Sequence, residues 1–322
     1  MALLEVKDLK AYFQTTAGVV KAVNGVSFEV DKGKVLGLVG ESGSGKTTIG
    51  HCLMNLLPKP AGRIVHGQIL FDGVDILQSS EKEWQKLRGK DIAMIVQDPM
   101  SSLDPLFTIG DQVVEPIKIH RLINHKVSLQ NRVVELLEKV RIPAPRDRIK
   151  DYPHQFSGGM RQRVVGAIAL SCNPRLLIAD EPTTSLDVTI QAQYLALLRD
   201  IQESDDLAML FITHDLGVVA YLCTDVAVMY AGKIVEIGNV RDIYKNPAHP
   251  YTQALIRSVP HNDAKVEKLY GIAGAPPSLI NLPAGCAFAP RCKQKIAQCE
   301  TAELPPVTKI SCDHTVSCWR HV

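Results

Sequence analysis

An α/β fold is predicted for this 322-residue chain: a phosphate-loop core on a parallel sheet, with an antiparallel β subdomain, a helical insertion and a small irregular C-terminal domain. Three observations predict it. The apolar runs Val35–Val39, Ile92–Val96, Leu176–Ala179 and Met209–Ile212 are short and closed by polar residues, as parallel strands buried on both faces are. The first of them enters a glycine-rich turn and then a helical pattern starting near Lys46. Between Pro99 and Phe156 the periodicity becomes helical, with Val133, Val134, Leu136, Leu137 and Val140 on one face.

The elements follow in order. Alternation in Val19, Val20, Ala22 and Val23, and again in Val26, Phe28 and Val30, predicts an antiparallel sheet within residues 3–30. The strand, glycine turn and helix around residues 35–46 open the core, and a helical subdomain over about 99–157 interrupts it. After Lys245 the composition shifts: the final 77 residues hold 9 of the 19 prolines in short segments. The expected division is residues 1–245 and 246–322.

Composition narrows the class. With 46% hydrophobic and 22% charged residues the chain is a globular protein with a large core. A net charge of +2 supplies no field to hold nucleic acid or an anionic membrane by charge alone. No apolar run approaches the roughly 20 residues that cross a bilayer, and Met1-Ala2-Leu3-Leu4-Glu5 meets charge too early for a leader, so a cytoplasmic location is expected. Eight cysteines in such a chain do not read as a disulfide framework. Cys52, Cys172 and Cys223 lie in apolar patterns and read as packing residues, whereas Cys286, Cys292, Cys299, Cys312 and Cys318 crowd the C-terminal end.

Gly40-Glu41-Ser42-Gly43-Ser44-Gly45-Lys46-Thr47 fits G-x-x-x-x-G-K-[ST] in full. Glycines let backbone N–H groups turn around phosphates, Lys46 brings charge to the β and γ groups, and Thr47 offers a hydroxyl to Mg²⁺. Gly40, Ser42, Gly43, Ser44, Gly45, Lys46, Thr47 and Thr48 are the expected ATP-binding set. Asp180-Glu181 ends the Leu176–Ala179 strand, and neighbours on a strand point opposite ways. Asp180 can therefore serve Mg²⁺ while Glu181 faces an attacking water. About 20 residues earlier, Ser157-Gly158-Gly159 opens a helix whose N–H groups can hold an anion.

With Phe156-Ser157-Gly158-Gly159-Met160-Arg161-Gln162-Arg163 the chain resembles the ATP-binding-cassette family, whose signature reads SGGQ; the match runs over about residues 3–240. The resemblance implies a P-loop NTPase (RecA-like) core and a dimer in which one subunit's Ser157, Gly158 and Gly159 close on the ATP of the other. Met160 departs from the usual Gln, which affects a side-chain contact only. By the same resemblance Gln97 is the Q-loop glutamine, Asp187 in Ser185-Leu186-Asp187 belongs to the D-loop, and His214 is the switch histidine. Phe13 is the adenine-stacking aromatic, with Tyr12 as the fallback. Glu181, His214 and Gln97 are then catalytic, and Thr47, Gln97 and Asp180 surround Mg²⁺.

Three segments narrow the resemblance to oligopeptide and dipeptide permease ATPases: His249-Pro250-Tyr251-Thr252-Gln253-Ala254-Leu255, Gly274-Ala275-Pro276-Pro277-Ser278-Leu279, and Gly285-Cys286-Ala287-Phe288-Ala289-Pro290-Arg291-Cys292. Gln97-Asp98-Pro99-Met100-Ser101-Ser102-Leu103-Asp104-Pro105 agrees with it. Implied are ATP-driven peptide import at the cytoplasmic face of the membrane, a second ATPase subunit, two membrane-spanning permease subunits and an extracytoplasmic peptide-binding protein, with no nucleic acid. A heterodimer is favoured, with a homodimer open for the isolated chain.

The spacing of Cys286, Cys292, Cys299 and a more distant fourth cysteine allows four thiolates to converge on one metal. The resemblance implies a [4Fe-4S] cluster, with Zn²⁺ as the alternative. The family's His-x-x-x-Cys fits His314 to Cys318, so Cys318 is taken as the fourth ligand and Cys312 as spare. Importers of nickel or oligosaccharides share this machinery. A soluble cassette protein on ribosomes or DNA would carry two cassettes or a coiled-coil insertion, and a dead regulatory subunit would lack Lys46, Asp180 or Glu181.

Overall fold

The computed structural model describes residues 2–98, 102–123, 126–259 and 271–322. Pro99, Met100 and Ser101 of the 97–105 segment lie outside the described residues. The chain forms two compact units, one of residues 31–33 and 78–211, the other of residues 2–30, 34–77 and 212–322.

In the first unit the Ile92–Ile95 and Leu176–Asp180 strands pair in parallel, Ile92 opposite Leu176 and Ile95 opposite Ala179. All five residues of the latter strand are buried, as its unbroken apolar run predicts. The Glu81–Leu87 helix begins with a capping box between Ser80 and Glu83. Thr108 caps the Ile109–Ile119 helix by accepting from Asp111 N, and the Lys126–Lys139 helix follows. The predicted helical face is the buried one: Val133, Val134, Leu136, Leu137 and Val140 all lie inside.

The second unit holds a four-stranded sheet in the order Gly18–Asp31, Ala2–Thr15, Gly62–Phe71, Val74–Asp75. Val26, Phe28 and Val30 are buried and Ser27, Glu29 and Asp31 exposed, which is the alternation of a half-buried strand. The pairing of Ala2–Thr15 with Gly62–Phe71 slips between Lys7 and Lys10. Gly67 sits opposite that slip at φ 107°, where an added Cβ would come within 2.6 Å of Leu9 Cα. Only glycine fits this bulge.

A second sheet in this unit runs Val307–Ser311, His314–Ser317, Lys233–Asn239, Asp225–Tyr230, Val35–Val39. Val35–Val39 and Asp225–Tyr230 are parallel, with Val39 opposite Val228. Ala231 and Gly232, at φ 45° and 82°, make the tight turn to Lys233–Asn239. Two consecutive positive φ values match the right-handed strand twist there.

The C-terminal stretch differs from the expected irregular domain. Its last segment is a hairpin that extends this sheet, Val316 opposite Glu236 and Thr315 opposite Ile237. Tyr251 and Phe288 lie in the same apolar core as Val39, Val226 and Val228. Its other described elements are the Pro250–Arg257 helix, capped by His249, and the single turns Ala289–Arg291, Ala297–Glu300 and Trp319–His321.

Candidate nucleotide site and C-terminal cysteine site

In the second unit the buried Val35–Val39 strand delivers the chain to Gly40, and the Lys46–Leu53 helix leads it away. Gly40, Gly43 and Gly45 have φ of 155°, 76° and 104°. A Cβ on Gly40 would reach within 2.1 Å of Met229 O, and one on Gly45 within 2.0 Å of Ala22 O, so the loop is pressed onto backbone at both ends. At Gly43 the space is open. Lys46 Nζ donates to Gly40 O at 2.8 Å and to Glu41 O at 3.1 Å, curling its charge under the loop. Gly232 N donates to Ser44 O at 2.9 Å, and Asn24 N to Gly232 O at 2.8 Å. Ser44 Oγ is buried without a hydrogen-bond partner, a polar atom inside the loop with spare capacity.

Tyr12 and Phe13 also belong to this unit. The Tyr12 hydroxyl donates to Asn24 Oδ1 at 2.9 Å, whereas the partly exposed Phe13 ring lies over Gly62. His214 is exposed just beyond the Ala208–Thr213 strand, and Asp215 caps the Leu216–Leu222 helix.

In the first unit Asp180 is buried at the end of its strand, and Glu181 follows at φ 45°. A non-glycine residue in the left-handed region stores strain, and such positions gather at functional sites. The Gln97 amide donates to Glu181 Oε2 at 3.3 Å, and Thr184 Oγ1 donates to the same oxygen. Gln97 and Glu181, 84 positions apart, are thus brought together within this unit. Ser157 caps the Gly158–Leu170 helix, its Oγ accepting from Met160 N at 3.4 Å. The two glycines differ: a Cβ on Gly158 meets nothing within 4 Å, while one on Gly159 would come within 2.6 Å of Ile190 Cγ2. Gly158 leaves an open face at the helix start, and Gly159 admits the neighbouring helix. Asp187 caps that Val188–Asp205 helix through Ile190 N at 3.0 Å.

The C-terminal site adds residues to which sequence reasoning gave no role. The Arg291 guanidinium donates to both oxygens of Glu41, at 2.6 and 3.0 Å, and to the Tyr230 hydroxyl at 3.2 Å. Glu41 N donates to the Tyr251 hydroxyl at 3.0 Å. Arg291 and Tyr251 stand inside two of the segments that carry the family resemblance, but nothing local connects either to residue 41. His314 has a structural partner: its Nε2 is 2.7 Å from buried Glu236 Oε1, and Glu236 also accepts from Ala248 N and His249 N.

Cys286, Cys292 and Cys318 all lie near enough to Cys299 to be raised by it. Burial, then Cys299 and Cys318, push the Cys286 thiol up to about 11. Burial first, and Cys299 among the neighbours, raises Cys292, while burial with Cys299 and Cys292 raises Cys318. Cys286 N also donates to Cys299 O at 3.0 Å. Cys312 is exposed in the turn of the terminal hairpin. The donor set suits thiolate ligation, which requires the deprotonated form these protonated thiols resist. Among the described residues, however, no three or more His, Cys, Asp or Glu side chains form a group able to hold a metal ion. The expected metal-binding character of the C-terminal domain is therefore not met by the arrangement of the side chains.

Residues 23–184 match the ABC transporter family. The chain belongs to the ABC transporter family. As an ABC cassette it is an ATPase. Residues 235–299 match the oligopeptide/dipeptide transporter C-terminal region. The ABC chain is 52% identical over 318 residues to the oligopeptide transport ATP-binding protein OppD of Bacillus subtilis, covering 98% of this chain and 88% of that one. It is 50% identical to the dipeptide transport ATP-binding protein DppD of Lactococcus lactis, covering 98% and 90%. Among solved structures it is similar to the dimeric bacterial ABC transporter cassette MJ0796, with a TM-score of 0.66 and 25% identity over 74% of this chain and 99% of that one. The post-hydrolysis MJ0796 cassette bound to ADP and Pi matches in fold, with a TM-score of 0.66 at 24% identity and the same coverage. Among the described residues no helix is long and apolar enough to cross a membrane.

Proposed function

We propose that this chain is the ATP-binding and ATP-hydrolysing subunit of an ABC importer of di- or oligopeptides. It works at the cytoplasmic face of the membrane with a second ATPase subunit, two permease subunits and an extracytoplasmic peptide-binding protein. The observation that carries this reading is the match of residues 235–299 to the oligopeptide/dipeptide transporter C-terminal region, on a chain that keeps a full cassette before it. Residues 1–245 form the cassette in this reading, with its helical subdomain over about 99–157, and residues 246–322 the transporter-specific part.

The roles follow from residue chemistry. Backbone N–H groups from Gly40 to Gly45 and the charge of Lys46 bind the phosphates, with Ser42, Ser44, Thr47 and Thr48 as hydroxyl donors. Phe13, free of the hydroxyl bond that engages Tyr12, stacks on adenine. Thr47, Gln97 and Asp180 would hold Mg²⁺, which would supply positive charge against the phosphates. Glu181 orients the attacking water, supported by the hydrogen bonds from Gln97 and Thr184, and His214 contacts the γ-phosphate. Ser157, Gly158 and Gly159 serve the ATP of the opposite subunit, and Asp187 lines the dimer seam.

Cys286, Cys292, Cys299 and Cys318 would hold a [4Fe-4S] group, or Zn²⁺, with thiolates. Such a group would tie together short, proline-rich segments. Support comes from Cys299 being the shared neighbour that raises Cys286, Cys292 and Cys318, and from the exposed position of Cys312. Co-purification of the chain with its permease and binding protein, followed by identification of the bound solute, tests the importer reading. A peptide is expected, and bound nickel or oligosaccharide overturns the peptide assignment.

A further inference from the structure

We propose that Arg291 is a positioning residue for the nucleotide loop, setting that loop for phosphate through a two-point ion pair with Glu41. The inference rests on the ATP reading above and extends it to a residue 250 positions from the loop.

An acidic side chain one residue after Gly40 is poorly suited to an anion site, since a bare carboxylate repels the incoming phosphates. Arg291 answers this charge at two points, 2.6 and 3.0 Å from the two Glu41 oxygens. A bidentate guanidinium fixes the carboxylate's plane as well as its position. The Arg291 side chain is 5% exposed and that of Glu41 25%, so solvent screens the pair only in part. The guanidinium is itself held from other directions. It donates through Nε to Ala273 O at 3.0 Å, donates to the Tyr230 hydroxyl, and lies 5.8 Å from the centre of the Tyr230 ring. Tyr230, Tyr251 and Phe288 form one aromatic group with centroid separations of 4.6, 5.3 and 5.4 Å. The Tyr251 hydroxyl from that group receives Glu41 N. Both the backbone and the side chain of Glu41 are thus fastened from the C-terminal segment.

Arg291 ends the single turn Ala289–Arg291, which lies between Cys286 and Cys292. Ala289 N donates to Cys286 O at 2.9 Å, and Cys292 N to Ala289 O at 3.2 Å. The turn from which Arg291 reaches Glu41 is therefore tied through its backbone to both cysteines.

The test measures MgATP dissociation constants for the full-length chain, with melting temperature and iron content recorded on the same samples. Arg291→Ala is expected to weaken MgATP binding about tenfold, and Arg291→Lys, a single-point cation, by less. Glu41→Gln separates positioning from simple charge: removing an anion beside phosphates tightens binding if only Coulomb repulsion matters, whereas loss of the clamp weakens it. Weaker binding is expected. The Arg291→Ala, Glu41→Gln double variant should bind no worse than Arg291→Ala alone, because both break one interaction. If the wild-type chain binds MgATP and Arg291→Ala binds it equally well, the inference is overturned while the ATP reading stands. If Arg291→Ala fails to fold, Glu41→Gln decides alone, and unchanged or tighter binding overturns the inference. A wild-type chain that binds no MgATP overturns the ATP reading and this inference with it.

Discussion

Thr184 Oγ1 donates to Glu181 Oε2 at 3.0 Å, the same oxygen that receives the Gln97 amide. Two donors on one oxygen fix the plane in which the Glu181 carboxylate lies. Glu181→Gln is therefore expected to retain MgATP binding while hydrolysis, assayed with the partner subunits, falls by about two orders of magnitude or more. Wild-type turnover in that variant removes Glu181 from the catalytic role.

The signature glycines should separate in their effects. Gly159→Ala places a methyl 2.6 Å from Ile190 Cγ2 and is expected to cost about 1–3 kcal/mol in denaturant unfolding. Trimming the obstacle with Ile190→Ala in the same chain should recover part of that loss. Gly158→Ala meets open space and should melt as the wild type does, while impairing hydrolysis of ATP held by the opposite subunit. Equal stability of the Gly158 and Gly159 variants contradicts this division.

His249 gives a pH dependence. Burial, aided by His321, lowers its pKa from 6.5 to about 3, and its Nδ1 accepts from Tyr251 N at 3.0 Å, a bond open only to the neutral ring. The unfolded chain takes up this proton near pH 6.5 and the folded chain only near 3. Its contribution to stability is complete above pH 6.5 and is lost on acidification through that window, by at most about 1.4 kcal/mol per pH unit. His249→Asn keeps an acceptor at the helix cap without the titration, so its stability should fall less between pH 7 and 5 in urea unfolding. Parallel pH profiles for the two proteins rule His249 out as the source.

For the cysteine site, anaerobically purified chain should be brown, with about four irons per chain. Cys318→Ser should lose the metal and Cys312→Ser should keep it. The reverse result moves the fourth ligand to Cys312, and colourless metal-free protein with an intact C-terminal hairpin removes the metal altogether.

What the sequence revealed and what it hid differ in physical kind. The phosphate loop, the Asp180-Glu181 strand end and the Ser157 cap are contiguous and built from backbone geometry, so each is legible as a short string. The buried face of the Lys126–Lys139 helix was equally legible, because helical periodicity is local. The terminal hairpin was not. Val307–Ser311 has no buried residue to produce alternation, and the prolines around it suggested irregular chain. The Arg291–Glu41 pair left no local signal either, since an ion pair closed over 250 positions imposes no spacing on either partner.

The turn at Ala231-Gly232 has a consequence for how the protein is made. The phosphate loop is encoded within the first 50 residues, but Gly232 N is one of the groups that fasten it, through Ser44 O. The parallel strand beside its entry, Asp225–Tyr230, is synthesised nearly two hundred residues later, and Arg291 later still. A nascent chain carrying the complete loop sequence therefore lacks the groups that hold the loop in this shape until residues 225–232 have been made.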